Sequence, residues 1–113
     1  MITVEQIIEE VKRLGREHPH AKYTEDDCSY LHGENGYKRC GCIVGVAIMN
    51  LDSSLEPTLQ EADSKPGGLD VSGLLDLLKI EYTGDQVAWL MDVQSFQDAR
   101  ETWGDAVCAA RKL

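Results

Sequence analysis

Three of the four cysteines in this 113-residue chain, and one of its three histidines, fall between positions 28 and 42. Cys28, His32, Cys40 and Cys42 are the donor types of a closed tetrahedral zinc site, which is built from thiolates and imidazoles. Their spacing works against one. Cys40-Gly41-Cys42 leaves a single residue between ligands, where structural zinc sites usually leave about two to four on a knuckle turn. The segment also reads as a β-hairpin, because Tyr30 and Leu31 precede Gly33-Glu34-Asn35-Gly36, Tyr37 follows, and Asn35-Gly36 suits the positive φ of a tight turn. Hairpin register then decides which groups meet. A loop of two or four residues puts Cys28 and His32 on one face and Cys40 and Cys42 on the other, whereas a three-residue loop Glu34-Asn35-Gly36 sets Cys28 across from Cys42, within reach of a reversible disulfide. Reduced, packed thiols are the favoured reading, with zinc as the alternative. A third chemistry is nucleophilic: Cys42 near the start of a helix, with His32 in the preceding hairpin, would supply a thiol and a base. No local signature supports it.

The second constellation lies near the C-terminal end. Gln94, Gln97 and Asp98 fall within about one helical turn, close to Trp103 and Gly104. With Tyr30 they form the candidate ligand-binding set, two amides, a carboxylate and aromatic rings that would hydrogen-bond a small polar molecule. The same amides and carboxylate also suit backbone groups at the junction of two helices, and that structural use is the favoured one. Glu25, Asp26 and Asp27 read as a solvated turn rather than calcium ligands, since adjacent residues of an extended segment point apart. The strings that announce phosphate loops, dinucleotide sites, zinc proteases and serine hydrolases do not occur.

Charge removes other classes. With 11 Lys and Arg against 20 Asp and Glu, a net charge of −9 disfavours binding to a nucleic-acid backbone, which needs clustered cations. The acids are scattered singly from Asp52 to Asp105, so they read as a solvated surface rather than a tail that mimics nucleic acid. Met1 leads directly into an amphipathic pattern with no apolar leader, and no run of ~18 apolar residues occurs. A soluble, intracellular chain with no membrane partner is expected.

Several elements must position these groups. Thr3-Val-Glu-Gln6 has capping-box form and opens a helix with Val4, Ile7, Ile8, Val11 and Leu14 on one face, ended by Gly15 and His18-Pro19-His20. Cys42 to Leu51 is apolar all round and reads as a buried helix, with Gly45 marking close approach of another backbone. Ser53-Ser54, Pro57, Ser64, Pro66 and Gly67-Gly68 make 52–68 a mobile loop with at most one short helical turn after Pro57. Asp70 or Ser72 is placed to cap a helix through Leu74 to Leu78, Thr83 or Asp85 another through Val87 to Gln94, and Thr102 a last one carrying Trp103, Ala106, Val107 and Ala110.

Cys28-x-Tyr30, Cys42-Ile-Val-Gly45 opening a helix, Val93-Gln-x-x-Gln97-Asp98 and Trp103-Gly-x-Ala-Val107 together resemble the pattern of a set of small uncharacterised proteins of actinobacteria and their bacteriophages. The resemblance spans most of the chain and implies a bacterial cytoplasmic setting, during phage infection in some members. It implies no activity, and His32 and Cys40 stand outside its pattern.

The expectation is one α+β domain over residues 1–113, with four or five helices packed on one β-hairpin. Its expected function is non-enzymatic: a small acidic binding protein, of the phage accessory kind, that engages a host protein or sequesters a small polar ligand without a cofactor. The alternatives are a zinc module built on Cys28, His32, Cys40 and Cys42, and a small thiol or hydrolytic enzyme.

Overall fold

The computed structural model describes residues 2–21, 31–34, 37–40, 42–65, 69–99 and 101–110, with the backbone alone for 31–34 and 37–40. Helix α1 (Val4–Glu17) begins as its sequence requires. The Thr3 amide donates to Gln6 Oε1 at 2.8 Å and the Gln6 amide to Thr3 Oγ1 at 3.2 Å, so two donors that a helix start leaves open are satisfied reciprocally. The helix runs through Gly15 and ends at Glu17, at the His18-Pro19-His20 segment expected to close it, where the His18 amide bonds to Leu14 O at 2.8 Å. The glycine serves a contact instead. A Cβ there would stand 2.9 Å from Val107 Cγ2, so its absence lets α1 lie directly against helix α6 (Trp103–Ala109).

After α1, strands β1 (Leu31–Glu34) and β2 (Tyr37–Cys40) pair antiparallel with Leu31 opposite Cys40 and Glu34 opposite Tyr37, so two residues connect them. The expected α+β class is nevertheless corrected to all-α. Six helices build the core, while the two strands form a ribbon four residues long, too short and too narrow to act as a layer against which helices could pack.

Helix α2 (Ile43–Leu51) is apolar apart from Asn50 near its end and accordingly lies inside over most of its length, with Ile43, Val44, Ala47 and Ile48 fully buried. The segment 52–68, expected as a loop, is corrected as well: it holds a 3-10 turn (Ser53–Leu55) and helix α3 (Glu56–Ser64). Pro57 sits in the first turn, where its missing N–H costs nothing, and Leu59 and Ala62, one turn apart, are fully buried. Helix α4 (Val71–Leu78) is capped by Asp70, whose carboxylate accepts from the Gly73 amide at 2.8 Å. It ends on Lys79 in the left-handed conformation (φ 60°), after which the Ile80 amide reaches back to Leu75 O at 3.0 Å and the Ile80 side chain is buried. Helix α5 (Gly84–Asp98) repeats the capping box with Thr83 and Gln86.

One core cluster draws side chains from all six helices, including Ile7 and Val11 of α1, Leu74 and Leu75 of α4, and Trp89, Leu90 and Val93 of α5. Among the described residues no helix is long and apolar enough to cross a membrane.

Candidate functional site

The C-terminal constellation expected to bind a ligand is divided by the fold. Gln97, fully buried on the last turn of α5, accepts from the Ile43 amide at 2.7 Å through Oε1 and donates from Nε2 to Asp98 Oδ1 at 2.9 Å. Ile43 is the first residue of α2, so this amide is one of the donors a helix start cannot satisfy internally. The residue just before it, Cys42, caps the same helix unusually: its sulfur accepts from the Gly45 amide at 3.4 Å. Where Ser or Asp would serve at an exposed start, a thiol is the cap that tolerates full burial.

Gln97 therefore faces the protein and leaves no group for a ligand. Gln94 is buried as well, and Asp98 is exposed beside Gln97. Trp103 is partly buried, and its indole Nε1 lies in the interior with no acceptor among the described residues. Tyr30 lies outside the described residues, as does Cys28, and His32 and Cys40 are placed by backbone alone. Positions 32 and 40 have opposite parity in the ribbon, because Leu31 is the partner of Cys40 and Arg39 that of His32. Among the described residues no group of three or more His, Cys, Asp or Glu is placed to hold a metal ion. Complete burial of Cys42 also denies its sulfur to a substrate, so the nucleophile reading of that residue has no accessible thiol.

The site that the structure does offer lies on a different face. A cleft of about 500 Å³ opens between the C-terminal half of α1 and α6, with Pro19 and His20 at one end. Its first wall carries Lys12 and Arg16, one turn apart on α1, and its second carries Asp105 and Cys108 on α6. The backbone holds these walls in register. Following α1, the chain turns through His18 to Ala21, and there Ala21 O accepts from the Trp103 amide at 2.8 Å and Pro19 O from the Gly104 amide at 3.1 Å. Gly104 is what allows this approach, since a Cβ would lie 3.0 Å from both Pro19 O and Pro19 Cβ. At the start of α6 the Thr102 hydroxyl accepts from the Asp105 amide at 3.2 Å.

Electrostatically the two arginines of α1 differ. Arg13 is gripped between Glu10, which takes two of its N–H groups, and Glu17 at 2.5 Å. Hydrogen bonds from Arg13, with a further one from Asn50, hold the Glu10 carboxyl below its usual range against the opposing effect of partial burial. Arg16, one turn on, has no carboxylate partner among the described residues, although it lines the same cleft as Asp105. Lys12 is shared between Glu9 at 3.8 Å and the face of Trp89, 5.6 Å from the ring centroid. His20 and Cys108 are exposed.

Sequence reasoning missed this cleft because the spacing of α1 separates an apolar face from a polar one without showing that Lys12 and Arg16, on the polar face, stand beside another helix. The available signal was the pairing of Gly15 with Gly104, two glycines whose elements had to approach something closely. Compared with protein-family models, with curated proteins and with solved structures, the chain matches none.

Proposed function

We propose that this chain is a non-enzymatic binding protein that holds a small polar molecule in the cleft between α1 and α6. The observation that carries this reading is Arg16: in a chain with 20 acids to 11 bases, a guanidinium on a cleft wall has no carboxylate partner among the described residues. Such a group is open to a charge-assisted, bidentate contact from a ligand. The cleft volume of about 500 Å³ falls in the range of ~300–1,000 Å³ that small molecules occupy. Gly15, Gly104, Pro19 and Val107 supply the apolar part of its lining. The resemblance to proteins of actinobacteria and their phages supports a bacterial cytoplasmic setting, in which a small acidic protein of this kind would sequester a metabolite or present it to a host protein.

The test is a two-dimensional amide NMR titration of the labelled chain with sodium phosphate, sodium acetate, sodium succinate and free amino acids as separate probes. Saturable shifts confined to Lys12–Arg16, Pro19–Ala21 and Thr102–Cys108, lost in Arg16→Gln, are the expected result. If neither these probes nor a dipeptide moves those amides, or if they move in Arg16→Gln as in the parent, the cleft is removed as the ligand site.

A further inference from the structure

We propose that the molecule taken by the cleft is a zwitterion with its charges at opposite ends, of the class of short peptides with free termini. The inference rests on the cleft being the ligand site and adds the ligand's chemistry. Arg16 and Asp105 line the cleft from opposite walls, one on α1 and one on α6, yet no ion pair joins them and neither has another charged partner among the described residues. Lys12 adds a second cation to the α1 side, while Asp105 is the single acid of the lining among the described residues.

Each simpler ligand is opposed by one of these walls. An anion attracted to Arg16 stands in the field of Asp105, and a cation attracted to Asp105 stands in that of Lys12 and Arg16. Only a molecule with both charges gains from both, and discrimination of this kind comes from repulsion as much as from attraction. Pro19, Gly104 and Val107 also line the cleft and suit a short aliphatic span. Two extended residues reach roughly 7 Å, which sets the separation of the two charges in the shortest peptide of this class.

Alanyl-alanine, N-acetyl-alanyl-alanine and alanyl-alanine amide separate the two charges experimentally. Binding is read twice, by amide NMR shifts and by protection of Cys108, an exposed residue of the α6 wall, from iodoacetamide at the level of the modified peptide. The free dipeptide should bind, and each blocked form should bind about 10-fold more weakly, as expected for loss of one charge-assisted contact. In Arg16→Gln the amide should become as good a ligand as the dipeptide, and in Asp105→Asn the acetylated form should. Both side chains are exposed, and the spectrum of each variant shows directly that it is folded. Equal binding of the acetylated form and the free dipeptide by the parent overturns the zwitterion and leaves an anion site. Phosphate or acetate binding in the cleft without dipeptide binding does the same. If neither the dipeptides nor the simple ions move the cleft amides, the site itself is wrong, and the proposed function falls with it.

Discussion

Replacing Gln97 by leucine should destabilise the protein while leaving its surface almost unchanged. The side chain is fully buried, and its hydrogen bond to another element, among the described residues, is the 2.7 Å bond from the Ile43 amide, 54 residues away in sequence. Leucine nearly matches the volume of glutamine, so the cavity contribution is small. What remains is a buried N–H without an acceptor, which costs about 1–3 kcal/mol. The second bond of Gln97 goes to Asp98, an exposed residue, and adds little because the Asp98 carboxylate regains water when it is lost. Taking ~2 kcal/mol and a urea slope of ~1.5 kcal/mol/M, the midpoint should fall by about 1.3 M with the slope unchanged. Urea unfolding followed by circular dichroism measures this, with Asp98→Asn as a control expected within about 0.5 kcal/mol of the parent. A Gln97→Leu midpoint indistinguishable from that of the control would show that water or another group satisfies Ile43, and that Gln97 is not the element joining α5 to α2.

Gly104→Ala should cost about 1–3 kcal/mol, since its Cβ would meet the Pro19 carbonyl at 3.0 Å, whereas Gly84→Ala, with nothing within 4 Å, should be neutral or stabilising by up to ~1 kcal/mol; thermal unfolding of the pair separates them. Under native conditions iodoacetamide should modify exposed Cys108 at least ~10³-fold faster than fully buried Cys42, because the latter must await unfolding against several kcal/mol; comparable rates from peptide mass spectrometry would show that α2 opens locally. The Glu10 carboxyl is held below its ordinary value of 4.5, chiefly by Arg13. Its contribution is therefore complete above that pH and is lost as pH falls through the lower folded-state value. Glu10→Gln should accordingly lie below the parent in urea midpoint at pH 6 and converge with it in acid, and a constant gap across that range would remove Glu10 from the acid response.

Local chemistry was legible wherever it was confined to a few neighbouring residues. Thr3 with Gln6, Asp70 and Thr102 announce their helices because a cap and the amide it satisfies lie three residues apart, and the apolar face of α1 follows from its spacing. The segment 52–68 misled because Pro57 and the serines around it are breakers only inside a helix; at its start they are favourable, and Leu59 with Ala62 was the sign of a buried face. Long-range partnerships left no trace. Nothing at position 97 identifies its partner as the amide of residue 43, and the burial that makes Cys42 a cap rather than a nucleophile is fixed by helices far away in the chain. The cleft is harder still, since Arg16 and Asp105 share it only because α1 and α6 pack at Gly15 and Val107.

The attachment of residues 19–21 to the start of α6 uses peptide groups on both sides: Trp103 and Gly104 donate, and Ala21 and Pro19 accept. A joint made of backbone alone is blind to the identity of the side chains around it. Selection can therefore exchange His20 freely without loosening the joint, and with it the chemistry at that end of the cleft. Gly104 has no such liberty, because any side chain there would collide with Pro19. Variation in a lineage of such proteins should thus gather at position 20 beside a fixed glycine, altering what the cleft accepts while its frame is inherited unchanged.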